Sequence, residues 1–490
     1  MTKKARLDLP LEETFLEPAA EFVVAFADRF ELAQDRREHL RQAIRAVLSM
    51  VIESNKGGGS GQPVQVEVSE NGGVLVVHLH NRGVPILLGG VVGGFQLPYA
   101  AKFREASLHA DRLSLENRGR KGQAVVLEFK LGVSAAARQA SSSPVVTEIP
   151  ETEAITLRDL APGEEQSLSR LFYLVYGYDY INESVYYPEK LAAMRQAGDL
   201  LSIVAARSNG RLVGHIGLVR KCAKPPVYEA AMGIVDPAIK SRGLFGRIFA
   251  KTMEKVRSTP MQYCLFDFVT NHDLSQKHIA KYGYRELALF VGCQSSKTQA
   301  RLPRLGLGPD PEGMDRYSIL LAVIPTVQHP FGRKVTLPED IGETFGFLLA
   351  PLGVEWTPAS RFQPLPPGGR YNTRLDPAQS AVHFDLVEPG AKAIEEIARE
   401  WGDLVRDGYE YAGVETSVEV PASGAVYDCL ASHGFFAAGF IPYGAPGRLG
   451  FRFQAVGPAD VAIDKIKVAT GASKKLLELV RKDFEAARRP

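Results

Sequence analysis

The stretch VDPAIKSRGLFGR, residues 235–247, decides the fold of the middle of this chain. The residues before it, 227–235, are apolar and suited to a strand, whereas Ile248 and Val256 after it follow an approximately helical spacing. The pattern predicts a strand, a basic turn marked by glycine, and a helix that begins near Gly243. The first N–H groups of a helix have no partner within it and its dipole is positive there, so this turn is suited to binding a diphosphate.

This segment resembles motif A of the GNAT N-acetyltransferases, which has the form V-x-P, two residues, then Q/R-x-x-G-x-G/A. Here Lys240 occupies the basic position and Gly243 the first glycine position. Phe245 stands where the family has a small residue that leaves room for phosphates, and Gly246 takes that role if the turn is shifted by one. A connection with a solvated basic face is the alternative, because short glycine motifs are weak signals alone.

The neighbouring segments follow the order of the same family. Residues 201–206 and 212–218, separated by Ser-Asn-Gly, predict a hairpin at the place of its second and third strands. Residues 263–269 predict a further strand, and Asn271 and a short helix that ends in a Gly-Tyr pair follow it. The resemblance covers about residues 150–325 and implies a GNAT fold with a mixed sheet.

The resemblance also implies that acetyl-CoA is the cosubstrate and that no metal is needed. The implied cofactor-binding residues are Gly233, Val235, Lys240, Ser241, Arg242, Gly243, Leu244, Phe245, Gly246 and Asn271. The expected reaction is transfer of an acetyl or other acyl group to an amine of a small molecule or a protein. The alternative is a regulatory protein that senses acyl-CoA through a non-catalytic pocket and binds a partner.

Three residues are candidates for proton transfer. An ammonium must lose a proton before it attacks a thioester, and the family often uses a Glu on the fourth strand as the base, which is Glu229 here. The departing thiolate needs a proton, but Ile279 occupies the position where the family often has a Tyr. Tyr282 and His278, spaced to share a helix face, are the substitutes. A solvent-facing Glu229, a packed Tyr282 and a surface His278 are the alternatives.

Aromatic residues are dense in the region where the family's first helices shape the acceptor pocket. They suit either an amine-binding clamp or a core. These residues are Phe172, Tyr173, Tyr176, Tyr178, Tyr180, Tyr186 and Tyr187.

Residues 1–145 resemble a degenerate GHKL ATPase domain of the anti-sigma-factor-kinase branch, an α/β sandwich. An amphipathic helix is predicted at 38–52, followed by strands. The family's magnesium positions fall on Ala46 and Met50, which offer no oxygen ligand, so ATP hydrolysis is not expected. Asn81 replaces the Asp that accepts from adenine, and its amide oxygen leaves nucleotide binding open. Packing or binding of a protein partner is the preferred role.

Residues 326–490 resemble a second, degenerate GNAT fold. The pattern predicts a strand at 381–387, a helix at 391–405, a strand at 416–420 and a helix at 424–432. Glu388 would repel a diphosphate at the corresponding turn, so this copy is expected to be non-catalytic. The final helix, at 473–487, is interpreted as a solvated surface helix, with a docking element as the alternative.

Composition sets the outer limits. A chain of 490 residues suggests about three domains, and an apolar content of 45% predicts a folded α/β (α+β) multidomain protein. The net charge of +2 argues against a large nucleic-acid surface. Four scattered cysteines and the lack of a secretory signal or membrane span indicate a cytoplasmic protein. His78 and His80 alternate onto one strand face, and a zinc site is not expected because no carboxylate or cysteine partner is evident.

Overall fold

The computed structural model describes residues 3–30, 32–55, 63–86, 98–131, 154–239, 243–296, 316–359, 364–419, 423–444, 447–459 and 461–488. The protein is a mixed α/β multidomain chain, which confirms the predicted fold class. It divides into two compact units. The first comprises Met1–Ala197, Ser202–His215 and Ile234–Ile248, and the second comprises Gly198–Leu201, Ile216–Gly233 and Phe249–Pro490. The predicted boundary at 145–150 lies outside the described residues, so the division into three domains stays a prediction.

The N-terminal part of the first unit is an antiparallel sheet with helices on one face. Its strands are β1 (Lys3–Leu9), β2 (Val64–Asn71), β3 (Val74–Asn81), β4 (Arg112–Asn117) and β5 (Gln123–Lys130), in the order β1-β2-β3-β5-β4. Its helices are α1 (Leu16–Ala27), α2 (Gln34–Ser54) and α3 (Pro98–His109). Alternate residues of β2 and β3 pack against these helices because side chains of a strand point to opposite faces in turn.

Helix α2 confirms the helix predicted at 38–52. Leu40, Ile44 and Val47 recur on one side of it and are fully buried. Each such side chain contributes roughly 1.5–3 kcal/mol when it is removed from water, so this stripe holds α2 on the sheet. Ala46 and Met50, at the expected magnesium positions, are buried in the same core.

The rest of the first unit belongs to the segment that resembles an acetyltransferase. Its elements are β6 (Ile155–Asp159), α4 (Glu165–Tyr176), α5 (Pro188–Gln196), β7 (Leu200–Arg207), β8 (Leu212–Ala223), β9 (Pro226–Val235) and α6 (Leu244–Ser258). Strand β6 pairs antiparallel with β7, which neighbours β8. The hairpin predicted from Ser-Asn-Gly is confirmed, with Gly210 in the left-handed region at φ +80°. Strands β7, β8 and β9 and helix α6 each contribute residues to both units.

The second unit is built on one long mixed sheet. Its further strands are β10 (Tyr263–Val269), β11 (Arg285–Ser295), β12 (Arg316–Pro325), β13 (Lys334–Leu337), β14 (Glu355–Pro358), β15 (Arg370–Asp376), β16 (Ala381–Glu388), β17 (Tyr411–Ser417), β18 (Phe436–Pro442) and β19 (Leu449–Val456). Its helices are α7 (Leu274–Ala280), α8 (Glu339–Phe345), α9 (Ala391–Arg406), α10 (Ser423–Ser432) and α11 (Gly471–Ala487). The strand order is β15-β16-β17-β19-β18-β11-β12-β10-β9-β8, whereas β13 and β14 form a separate parallel pair.

A buried arginine links the two halves of this unit. The Arg316 side chain at the start of β12 is fully buried, and its Nη1 donates to Glu410 Oε2 at 2.8 Å. Its Nη2 donates to the carbonyls of Gln379 at 2.8 Å and Cys293 at 3.2 Å. The planar guanidinium can satisfy several acceptors at once, so one side chain joins β12 to the segments that precede β16 and β17.

Two predictions for the C-terminal segment are wrong. The strand expected at 416–420 lies at Tyr411–Ser417, because Tyr411 and Val414 are the fully buried residues that sit between β16 and β19. Helix α11 is not merely a solvated surface helix. Its residues Leu476, Val480 and Phe484 are buried, and the Phe484 ring packs on Phe436 of β18 with ring centroids 5.4 Å apart.

Among the described residues, no helix combines the length and the apolar character needed to cross a membrane. The glycine- and proline-rich segment 84–101 lies mostly outside the described residues.

Candidate functional site

Strands β9 and β10 run parallel and pair only over a short stretch. Their register joins Val227 to Tyr263 and ends where Glu229 faces Leu265. Strand β10 continues to pair with β12 as far as Val269. Beyond Glu229, β9 therefore has no further register pair with β10, and the two strands part at this point.

The backbone of β9 is also distorted beyond this point. Met232 has φ +59°, in the left-handed region, although it is buried and is not a glycine. Such a conformation costs on the order of 1–3 kcal/mol and is retained when the surrounding structure imposes it. The following residue, Gly233, is exposed. Strand β9 therefore bends away from a regular ladder at the predicted cofactor position Gly233.

Two carboxylates share the sheet face at the point where the strands part. Glu229 is in register with Leu265, and Asp267 lies two residues further along β10, so both project from the same face. The Nζ of Lys221 on β8 lies 2.5 Å from Glu229 Oε2, and the Glu229 side chain is only 15% exposed. Glu229, the base candidate from the sequence, is therefore mostly shielded from solvent and paired with Lys221.

Asp267 is the second carboxylate, and sequence reasoning missed it. Its side chain is exposed to solvent, although surrounding protein atoms crowd the carboxyl. This burial, and next the charge of Glu229, raise the pKa of Asp267 from 3.8 to about 7, although Lys221 and Arg452 oppose the rise. A carboxyl group with such a pKa can take up and release protons near neutral pH. The available signal was a single acidic residue inside the apolar strand YCLFDFV.

The same sheet face extends to a partly buried basic residue, Arg452. Successive register pairs join Asp267 to Leu321, Ala288, Gly439 and finally Arg452 on β19. Arg452 pairs with Glu415, and its guanidinium stands 4.0 Å from the Phe290 ring centroid. Leu321, Ala288 and Gly439 separate the acidic end of this row from its basic end, so the face carries opposite charges at its two ends.

The predicted proton donors lie elsewhere. Helix α7 ends at Ala280, so Tyr282 lies in the following turn and does not share a helix face with His278. The Tyr282 ring packs on Phe249 with centroids 5.3 Å apart, and Phe249 contacts Phe266. Because Phe266 and Asp267 are adjacent on β10, they point to opposite faces. Tyr282 is therefore on the other side of the sheet from Glu229 and Asp267.

Some polar atoms in and around α7 are buried without a partner among the described residues. Among the described residues, His278 Nε2 and the hydroxyl of Tyr284 have no hydrogen-bond partner. Burial raises the pKa of Tyr284, so its hydroxyl keeps its proton at neutral pH. Ile279, at the family's usual donor position, is a buried core residue. The Asn271 side-chain oxygen is likewise buried without a partner in this part of the chain.

The turn between β9 and α6 is only partly described. Lys240, Ser241 and Arg242 lie outside the described residues. Helix α6 begins at Leu244, as the sequence predicts, and Gly243 before it has φ +92°. A Cβ added to Gly243 would meet no described atom within 4 Å. Leu244 is buried.

Phe245, at the position where the family has a small residue, and Gly246, which takes that role if the turn is shifted, lie in the first turn of α6. Both are partly exposed.

Asp236 directly follows β9 and orders the chain there. It is 2% exposed and accepts from the backbone N–H of Ala238 at 2.9 Å. Its other oxygen pairs with Arg211 at 2.6 Å. This carboxylate orders the beginning of the turn after Val235.

Much of the predicted acceptor-binding aromatic cluster is core. Phe172, Tyr173, Tyr178 and Tyr186 are buried. The hydroxyls of Tyr173 and Tyr178 donate to the carbonyls of Arg82 at 3.3 Å and Gly83 at 3.1 Å. Within the first unit these rings therefore pack beside the segment that follows β3, and the core interpretation is correct for them.

The same segment contains Asn81, the residue expected to replace an adenine-binding Asp. Its side chain is buried, and its Oδ1 accepts from the Gly83 N–H at 3.1 Å and from Gln123 Nε2 at 3.3 Å. The oxygen that could have accepted from adenine is thus used by the chain itself.

No family model matches this chain, and no curated protein does. The chain is similar to solved structures of GNAT acetyltransferases. One from Streptococcus pneumoniae is 11% identical, with a TM-score of 0.28, and the match covers 35% of this chain and 98% of that one. One from Brucella melitensis in complex with acetyl-CoA is 21% identical, with a TM-score of 0.22 and coverage of 27% and 84%. The ribosomal-protein-S18-alanine N-acetyltransferase of Escherichia coli is 11% identical, with a TM-score of 0.27 and coverage of 35% and 94%.

Proposed function

We propose that this chain transfers an acyl group from acyl-CoA to an amine, with the reacting groups at the point where β9 and β10 part. The observation that carries the proposal is the end of the parallel ladder at Glu229 and Leu265, with Glu229 and Asp267 on one face of the opening. In this proposal the amides of an extended pantetheine chain lie along β9 where it parts from β10. The adjacent carboxylates supply the proton acceptor that the amine requires.

In the proposed reaction Asp267 takes a proton from the ammonium of the acceptor. The nitrogen lone pair then attacks the thioester carbonyl carbon and forms a C–N bond, while the carbonyl oxygen becomes negative. A backbone N–H near the exposed Gly233 of β9 stabilises that oxyanion. The C–S bond then breaks, the nitrogen loses its second proton as the amide forms, and the departing thiolate of CoA takes up that proton. The negative charge of Glu229 raises the pKa of Asp267, and the positive charge of Lys221 lowers it.

The experiment that tests this proposal is a screen of amines for CoA release from acetyl-CoA. The Asp267→Asn variant is expected to lose about 10²- to 10⁴-fold in turnover, the usual contribution of a general base. Glu388→Gln is the matched control, because Glu388 is an exposed strand carboxylate that pairs with Arg370. Failure of every amine to release CoA, or full activity in Asp267→Asn, would rule out the proposed chemistry.

Binding of the diphosphate is proposed separately for the turn before α6, as the sequence motif implies. Gly243→Glu places a negative charge there, whereas Gly243→Asn tests the same backbone conformation without the charge, because Asn tolerates a positive φ. Acetyl-CoA binding measured by calorimetry is expected to weaken much more in the Glu variant. Equal affinities in the two variants would place the diphosphate elsewhere.

An acyl-CoA sensor is the second candidate function. Ile279 favours it, because this buried aliphatic residue cannot supply the proton that the leaving thiolate needs. Glu229 favours it too, because Lys221 already occupies its carboxylate. Tight acetyl-CoA binding with no amine-dependent CoA release distinguishes the sensor from the enzyme.

A further inference from the structure

Two histidines and a glutamate meet on one face of the N-terminal sheet. His78 and His80 alternate along β3, and Glu67 on β2 is in register with His78. Their ligand atoms all lie within 4.8 Å of one another, and all three residues are partly buried. The sequence-based expectation that no carboxylate lies near these histidines is therefore wrong, because strand pairing brings in a residue eleven positions away.

The three side chains share the properties of a transition-metal ligand set. Two imidazoles and one carboxylate suit borderline divalent ions, whereas Mg²⁺ and Ca²⁺ prefer oxygen ligands alone. The opposite faces of β2 and β3 carry the apolar core, so the backbone that positions these ligands is rigid.

Two cations compete for the same atoms. Lys4 Nζ lies 2.8 Å from Glu67 Oε2, and Arg118 Nη1 lies 3.0 Å from His80 Nδ1. The Lys4 side chain is 55% exposed on the edge strand β1, and an exposed ion pair contributes only about 0–1 kcal/mol. Arg118 keeps Glu116 as a second partner at 2.9 Å. A divalent ion can therefore replace both contacts without leaving either cation buried and unpaired.

We propose that Glu67, His78 and His80 form a surface site for a divalent transition-metal ion of the Zn²⁺ class. The ion joins β2 to β3 through three ligands and leaves its remaining coordination positions open to water or to a further ligand. This site is independent of the acyl-transfer proposal, because its residues belong to the N-terminal sheet and its test does not use acetyl-CoA.

The test uses the full chain, stripped of metal with a chelator, and titrates it with Zn²⁺ in a calorimeter and with Co²⁺ by visible absorption. The variants His78→Gln, His80→Gln and Glu67→Gln each remove one ligand at similar volume. Removing a residue that only hydrogen-bonds a metal ligand typically weakens metal binding roughly 10- to 100-fold. Each of these variants removes a ligand itself, so each is expected to weaken binding more than that. His109→Gln is the matched control, since His109 contacts His39 in a separate pair on α3 and α2.

A gain-of-affinity variant separates a metal site from a merely structural polar cluster. Lys4→Ala frees Glu67 from its ammonium and is expected to tighten Zn²⁺ binding. Circular dichroism of each metal-free variant checks that the sheet is still folded. The proposal is overturned if the intact chain shows no saturable binding, if the three ligand variants bind as the intact chain does, or if Lys4→Ala fails to bind more tightly.

Discussion

Replacing Asp267 by Asn is expected to make the second unit more stable while abolishing its proposed activity. The carboxyl of Asp267 is crowded by protein atoms and lies on the same face as Glu229, and these two causes raise its pKa from 3.8 to about 7. Above pH 7 the folded protein therefore holds an unfavourable negative charge. The Asn amide has nearly the same shape without that charge.

The magnitude follows from the pKa difference. A shift of about three pH units corresponds to about 4 kcal/mol at about 1.36 kcal/mol per unit, but the side chain is open to solvent, which reduces this to roughly 1–2 kcal/mol. Because the folded state binds the proton more tightly than the unfolded state, stability falls as pH rises from about 4 to about 7. The stabilisation by Asp267→Asn should be complete above pH 7 and absent near pH 4.

Urea denaturation measures this difference. The fluorescence of Trp356 and Trp401, the two tryptophans of the chain, reports the second unit, in which Asp267 also lies. Midpoints of the intact chain and the variant are compared at pH 5 and pH 8, and an unchanged slope with urea supports a two-state comparison. Titrating groups that do not interact with Asp267 contribute equally in both proteins, so the difference reports Asp267 together with the groups coupled to it, Glu229 first among them.

One outcome contradicts the reasoning directly. If Asp267→Asn is no more stable than the intact chain at pH 8, the carboxyl is not in a desolvated, negatively charged setting. It then loses its special suitability as a base near neutral pH. Glu388→Gln, the exposed control carboxylate, is expected to change the midpoint by less than about 0.5 kcal/mol at either pH.

Two further predictions concern packing and a buried ion pair. Gly342→Ala should destabilise the second unit by roughly 1–3 kcal/mol in thermal unfolding, because its Cβ would stand 2.3 Å from the rigid ring of Trp356. Gly402 also lies within a helix, but a Cβ added there would meet no described atom within 4 Å, so Gly402→Ala should stabilise the unit by up to about 1 kcal/mol. A stability change of the same sign in both variants would refute the steric account. Arg316→Met should cost about 3–5 kcal/mol by leaving Glu410 and several carbonyls unpaired, and a loss below about 1 kcal/mol in urea denaturation would contradict this.

Local patterns were sufficient for elements that carry their own periodicity. The apolar stripe of α2 and the β-rich run 263–269 predicted a helix and a strand that the structure confirms. The start of α6 after Gly243 was also predicted, because the glycine and the following apolar spacing are local signals. Strand β17 was misplaced, since burial between two neighbouring strands, rather than its own composition, selects residues 411–417.

The candidate site was predictable only in part. Glu229 was identified from its place before the motif, but neither its ion pair with Lys221 nor the position of Asp267 on the same face follows from the sequence alone. An acidic residue in an apolar strand can face solvent or a cleft, and only the neighbouring strands decide which. The same limit applied to Glu67, whose distance from His78 is set by the register of β2 and β3.

The sequence by itself determined those helices and strands that carry their own periodicity, such as α2 and β10, and the start of α6 after Gly243, because these depend on signals within a few residues. Tertiary structure decided which charges meet: the carboxylates beside the parted strands, the arginine joining the halves of the second unit, and the histidine–glutamate cluster. Electrostatic interactions act through space over several ångströms. Residues far apart in sequence therefore acquire their chemical properties only when strand order and register bring them together.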